Sequence, residues 1–293
     1  MAEELTMKFG SHVSTSGGLY KAFANAQAAG CDAMQIFSKN QQQWKAKPLG
    51  EDEISKFRAA HAASGINPLV VHDSYLINLA SPDDELQAKS RAAFAEEIQR
   101  CGLLGIPYLV THPGAHVGSG VEAGIARVAA ALDAILAADT NPDVTVLLET
   151  TAGQGTVLGR SFQEIAQIIA ACRYPERLGV CLDTCHILVA GYEFRTPESC
   201  AAMLAEFDAT IGLQRLKIIH ANDAQKDLGS KTDRHAHIGE GFVGKDGFRN
   251  LMRNSYVRTV PFILETPKDD DPGDDIRNLA LLRTLAVEAE HAE

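Results

Sequence analysis

Short β-branched runs of four to six residues recur along the chain, and most are followed by an Ala-rich stretch with helical spacing of its apolar positions. The runs predict a strand leading to His12, then strands at Ala33–Phe37, Pro68–His72, Tyr108–His112, Val144–Glu149, Leu178–Asp183, Leu216–His220 and Phe262–Glu265. Amphipathic segments at Gly17–Ala29, Asp52–Ala63, Glu85–Leu104, Glu122–Ala138, Phe162–Cys172 and Pro197–Thr210 fill the gaps, and Asp274–Ala289 follows the last strand. Eight strands alternating with helices is what a closed parallel barrel requires, so the predicted fold is α/β, a (β/α)8 TIM barrel.

Local signals support the helix starts. Ser161 and Glu164 have capping-box spacing, and Thr196 precedes a proline placed for the first helical position. Residues 221–243 are too rich in Asp, Gly, Lys and His for a crossover helix. They predict a long functional loop, followed by a weaker helix near Phe248–Asn254. No linker, repeat or low-complexity tract divides the chain, so a single domain over residues 1–293 is expected.

Composition narrows the class. A 45 % hydrophobic content over 293 residues can fill a substantial core, which argues against disorder. The N-terminus carries two glutamates ahead of any apolar run, unlike a secretory signal, and no stretch approaches the roughly 20 apolar residues of a membrane helix. A soluble cytoplasmic protein without a membrane partner is expected. The six cysteines form no CxxC pair and read as buried apolar side chains in a reducing compartment, with Cys185 set apart by its place between two metal-capable residues. A net charge of −11 is a poor match to a protein that coats nucleic acid. It still permits contact through one local patch, above all where bound cations alter the field.

The candidate chemistry lies at the ends of the apolar runs. His72, His112, Glu149, Asp183, His220 and Glu265 each close a predicted strand, with separations of 40, 37, 34, 37 and 45 residues. Each separation fits one strand, helix and return, and the C-terminal ends of barrel strands converge on one face. Any one of these residues is unremarkable at a strand end, as a hydrogen-bonding or capping group; the six together are not. His186, three residues beyond Asp183 in the same strand-end loop, and the pair Asp233 and His235 raise the set to nine: five imidazoles and four carboxylates. This donor mixture suits zinc, manganese or iron better than calcium or magnesium, and nine ligands can serve three ions if a carboxylate bridges. Clustered divalent cations can bind a phosphodiester, activate water and stabilise a leaving alkoxide.

The segments GSHVS, FSKNQQQW, HDSYLINLASP, THPGAHVG, LLETTAGQG, CLDTCH, HANDAQKDLGSKTDRHAHIGEG and ILETP resemble those of endonuclease IV, the zinc-dependent apurinic/apyrimidinic endonuclease family, from about Met7 to about Leu285. The resemblance implies three Zn2+ per chain, with manganese an alternative at one position. His72, His112 and Glu149 would hold the first ion; Glu149, Asp183, His220 and Glu265 the second; His186, Asp233 and His235 the third. It also implies that Glu149 is catalytic, positioning the attacking hydroxide. The implied reaction is cleavage 5′ to an abasic site in duplex DNA, leaving 3′-hydroxyl and 5′-deoxyribose-phosphate ends, together with removal of 3′-blocking groups in base excision repair. Gln42, Tyr75, Lys231 and Arg234 are the DNA contacts it suggests, and a monomer is expected. Gln42 departs from the arginine often found there, which predicts an altered grip on distorted DNA.

Two rival readings bear on the same residues. A divalent-metal sugar isomerase or epimerase on this fold would use Glu149, Asp183, His220 and Glu265 but would not need the other five. A non-catalytic DNA-binding module would need none of the nine.

Overall fold

The computed structural model describes residues 7–269 and 272–291. Strands β1 (Phe9–His12), β2 (Ala33–Phe37), β3 (Leu69–His72), β4 (Tyr108–Thr111), β5 (Thr145–Glu149), β6 (Leu178–Asp183) and β7 (Leu216–His220) run in chain order around the sheet. After a two-stranded antiparallel ribbon of β8 (Asp223–Ala224) and β9 (His235–Ala236), β10 (Phe262–Leu264) pairs with both β7 and β1 and closes a parallel barrel. The predicted TIM barrel is the observed fold.

Helices α1 (Ala22–Ala29), α2 (Glu51–Ser64), α3 (Asp84–Leu104), α4 (Val121–Ala138) and α5 (Phe162–Ala171) occupy predicted gaps. They are followed by α6 (Thr184–Ala190), α7 (Pro197–Thr210), α8 (Gly244–Met252) and α9 (Gly273–His291). Phe57, Phe94, Phe162, Phe207 and Phe248 are fully buried in the layer between sheet and helices. Inside the barrel, Ala33, Val70, Val110, Leu147, Cys181, Ile218 and Ile263 form a separate apolar plug. Strand β1 adds no side chain there, because a Cβ at Gly10 would lie 2.0 Å from the carbonyl oxygen of Ala33.

Three differences from the sequence expectation matter for the site. The segment after Asp183 is not a loop but the short helix α6. The polar stretch 221–243 is pinned by the β8–β9 ribbon, and the weak helix begins earlier than its apolar residues suggested, at Gly244. Thr196 makes a full capping box with Ser199. Ser161 caps only in one direction: it accepts from the Glu164 amide, while the Glu164 carboxylate turns to the amides of Gly159 and Arg160. No helix of the described residues is long and apolar enough to cross a membrane.

A part-buried ion pair ties the connection between α4 and β5 to the turn that leads into β6. Arg177 donates to Asp139 Oδ2 at 2.8 Å and to the carbonyls of Asn141 and Val144 at 3.0 and 2.8 Å. Burial opposes the charged carboxyl of Asp139, but Arg177 and the two N–H groups of Asn141 outweigh it and hold its pKa below the usual aspartate value. A depressed carboxyl contributes stability above its unfolded pKa, near 4, and loses it as the pH falls through the folded value. Asp139→Asn should therefore cost about 1 kcal/mol at neutral pH, the exposed part of the pair being screened by solvent. Urea unfolding at several pH values should show the gap from the parent protein closing below about pH 4; a gap independent of pH would assign the loss to packing instead.

Candidate metal centre

Side chains alternate across a strand, so the residue two beyond each member of the apolar plug faces inward one layer higher. Val70 is followed in this way by His72, Val110 by His112, Leu147 by Glu149, Cys181 by Asp183, Ile218 by His220 and Ile263 by Glu265. The same step from Ala33 and Gly10 leads to Gln35 and His12. The six strand-end residues predicted from sequence thus belong to a ring of eight at the C-terminal mouth, and strand pattern alone did not single out Gln35 and His12. A polar residue interrupting the apolar run AMQIF was the available signal for Gln35.

Ligand-capable atoms gather in three groups with internal separations within 4.8 Å: His72, His112 and Glu149; Glu149, Asp183, His220 and Glu265; and Asp183, His186 and His235. Glu149 is shared and divides its oxygens. Its Oε2 lies 3.2 Å from Nε2 of both His72 and His112, and its Oε1 lies 3.0 Å from Nδ1 of His220. Asp233 joins the third group at its rim, with Oδ1 3.1 Å from His186 Nε2 and 3.5 Å from His235 Nε2. Every one of the nine predicted residues is therefore brought to the same mouth.

Helix α6 explains how His186 reaches the centre. Asp183 ends β6 and caps α6, accepting from the His186 amide at 2.8 Å, which turns the imidazole inward from the first helical turn. The other Asp183 oxygen accepts from Asn222 Nδ2 at 2.6 Å, and Asn222 Oδ1 accepts from the Glu265 amide at 2.9 Å. Asn222 is thus a further residue of the site, unnoticed in the sequence because only its neighbour His220 ends a strand.

The hydrogen bonds fix the imidazole protons. Nδ1 of His72, His186 and His235 donates to the carbonyls of Asp73, Thr150 and Glu265 at 2.9, 2.8 and 3.1 Å. A carbonyl can only accept, so each ring turns its Nε2 lone pair toward carboxylate oxygens. Nε2 of His186 and of His235 is buried with no hydrogen-bond partner among the described residues. Lone pairs facing carboxylates need a positive charge between them. Burial alone would lower the pKa of His72, yet Glu149, Glu265 and Asp73 raise it to about 10. Burial works against ionised Glu149 as well, and His220 and His112 more than reverse it, holding that carboxyl well below its usual range. Proton or metal ion, a cation belongs here, and imidazoles oriented by backbone carbonyls are the usual setting of metal ligands.

A cleft of about 700 Å3 opens beside the centre, with His12, Ser14, Asn40, Tyr75, Glu265 and Lys268 in its wall. Tyr75 is 62 % exposed, its ring 5.5 Å from those of His72 and Phe37. Gln42 is exposed on the loop after β2. The stems of that loop are held by Arg100 of α3, which donates to Ser38 O and, at 3.2 Å, to Lys47 O, while Ser74 holds its middle through Gln41 O at 2.7 Å. Lys231 and Arg234 are exposed on the stretch leading to β9. Cys185 donates to Arg234 O at 3.7 Å, and burial raises its thiol pKa, followed in effect by Asp183; that environment disfavours a thiolate ligand.

Barrel and centre together define a TIM-barrel enzyme whose strand ends group side chains able to hold metal ions, and the family described as xylose isomerase-like TIM barrel matches residues 23–285. Within that class the chain belongs to the endonuclease IV family, and it is a phosphodiester hydrolase. The probable endonuclease 4 of Chloroflexus aurantiacus is 54 % identical over 283 residues, spanning 97 % of this chain and 99 % of that one. That of Geobacter sulfurreducens is 49 % identical over 276 residues, 94 % and 93 % of the two chains. The crystal structure of endonuclease IV from Thermus thermophilus superposes with a TM-score of 0.83 at 36 % identity, covering 96 % of this chain and 99 % of that one. A D-tagatose 3-epimerase-like protein shares the fold, with a TM-score of 0.74 at 18 % identity over 97 % and 99 % of the chains.

Proposed function

We propose that this protein is a zinc-dependent apurinic/apyrimidinic endonuclease acting in base excision repair. Its reaction would be hydrolysis of the phosphodiester 5′ to an abasic site in duplex DNA, with a 3′-phosphodiesterase activity on blocked ends. The observation that carries the reading is the division of Glu149 between two groups, together with the orphaned Nε2 atoms of His186 and His235 in a third. The first ion falls to His72, His112 and Glu149, the second to Glu149, Asp183, His220 and Glu265, and the third to His186, Asp233 and His235. When bound, the ions supply neutralisation of the phosphodiester, a lower pKa for the attacking water and stabilisation of the leaving alkoxide. Glu149 holds the water in line, with its carboxylate kept ionised by the surrounding imidazoles. Tyr75 offers an aromatic face beside the cleft for the sugar that lacks a base.

An epimerase of this fold would need only the group of Glu149, Asp183, His220 and Glu265. The additional five ligands favour the nuclease. The direct test is a labelled duplex carrying one abasic analogue, incubated with zinc-loaded protein. A single cut immediately 5′ to the analogue, with a 3′-hydroxyl end, is expected. Intact DNA together with turnover of a ketose would instead establish the epimerase reading.

Gln42 gives a finer expectation. It is exposed at the DNA-facing mouth and carries no charge, so Gln42→Arg should tighten binding of an abasic duplex by a few-fold at low salt and steepen its salt dependence by about one phosphate's worth. Saturated turnover should not change. Equal affinities at all salt concentrations, from fluorescence anisotropy, would remove Gln42 from the DNA interface.

A further inference from the structure

Gln35 has the buried environment of a core residue and the contacts of a site residue. It is fully buried in β2, one layer above Ala33, and its amide meets three members of the ring. Nε2 donates to Glu265 Oε1 at 2.5 Å and faces His12 Nδ1 at 3.0 Å. Oε1 lies 2.8 Å from His220 Nε2. The amide orientation follows from its partners: a carboxylate can only accept, so the NH2 faces Glu265 and the oxygen faces His220. His220 must then carry its proton on Nε2 and turn its Nδ1 lone pair toward Glu149 Oε1 and Glu265 Oε2, at 3.0 and 3.3 Å. The other oriented imidazoles, His72, His186 and His235, present Nε2 instead. Those rings are fixed by backbone carbonyls; at His220 Nε2 the Gln35 side chain takes that place.

We propose that Gln35 is a positioning residue for the second metal group. It sets the tautomer of His220 and turns the Glu265 carboxylate, so both reach one ion already oriented. The same NH2 group can donate to His12 Nδ1, which would leave the His12 proton on Nε2, an atom without a hydrogen-bond partner among the described residues. His12 thereby braces the far side of the amide. The inference rests on the reading of His220 and Glu265 as metal ligands.

Gln35→Met keeps the volume and removes all three contacts. Zinc affinity, measured by competition with a chelator, should fall 10–100-fold for one ion per chain, with the remaining ions released as in the parent protein. In the zinc-loaded parent, labelled with 15N-histidine, the His220 Nε2 proton should exchange slowly with water, and in Gln35→Met rapidly. Saturated turnover on an abasic duplex should drop while KM changes little, because the metal group rather than DNA binding is disturbed. Unchanged chelator competition, or a His220 ring bound through Nε2 in the parent, would overturn the proposal. If Gln35→Met does not fold, the NMR measurement on the parent alone decides it. A parent protein that takes up no zinc in the competition experiment would overturn the metal reading on which the proposal rests, a result distinct from a zinc-binding parent with unchanged Gln35→Met.

Discussion

Glu149→Gln should lower single-turnover cleavage of an abasic duplex by roughly three to four orders of magnitude, ~4–5.5 kcal/mol in activation free energy. The substitution preserves shape but replaces one of the two carboxylate oxygens by an NH2 group, which has no lone pair for a cation. Since Oε2 faces His72 and His112 while Oε1 faces His220, whichever way the amide turns, one group loses its shared ligand. The neutral side chain also leaves His220 and His112 without the charge that balances them. Zinc content should fall alongside the rate, and the far-UV circular dichroism spectrum should stay that of the parent. A variant within tenfold of the parent would show that Glu149 neither bridges nor positions the nucleophile.

Removal of the metal should reach stability as well as activity. Glu149, Asp183, Asp233 and Glu265 bring four carboxylates to one mouth, beside imidazoles whose lone pairs point at them. Divalent cations that bind only the folded protein stabilise it in proportion to the logarithm of their concentration over Kd, about 4 kcal/mol at a thousandfold excess. For a chain of this size that corresponds to a thermal midpoint lower by roughly 10 °C after exhaustive chelation. Cleavage should disappear with it. Zinc should restore both, whereas magnesium, which takes oxygen ligands, should restore neither. An unchanged melting curve after the zinc has been stripped would mean that the histidine and carboxylate cluster holds itself together without an ion.

Much of this site is legible in the chain because a barrel strand advertises its end. An apolar run stops at the residue that leaves the core, so His72, Glu149, Asp183 and His220 stand out as polar termini of buried strands. Gln35 and His12 carry no such mark. Gln35 lies inside β2 rather than at its end, and His12 ends a strand with too little apolar content for its polar terminus to stand out. Both joined the centre only when β1 and β2 took their places in the closed sheet. Arg100 is similar: a basic residue in an amphipathic helix reads as surface, and it is buried because the loop after β2 folds back over α3.

The order of the eight barrel strands and most of their crossover helices, the barrel they imply and the identities of the nine ligand candidates were determined by sequence alone, since two-residue and 3.6-residue periodicity are local properties of the chain. Which ligands share a group, which oxygen of Glu149 serves which side, and which nitrogen each imidazole offers were decided only by tertiary structure. Those depend on closing the sheet by pairing β10 with β1 and on hydrogen bonds between residues far apart in the sequence, such as those of Gln35 with His220 and Glu265.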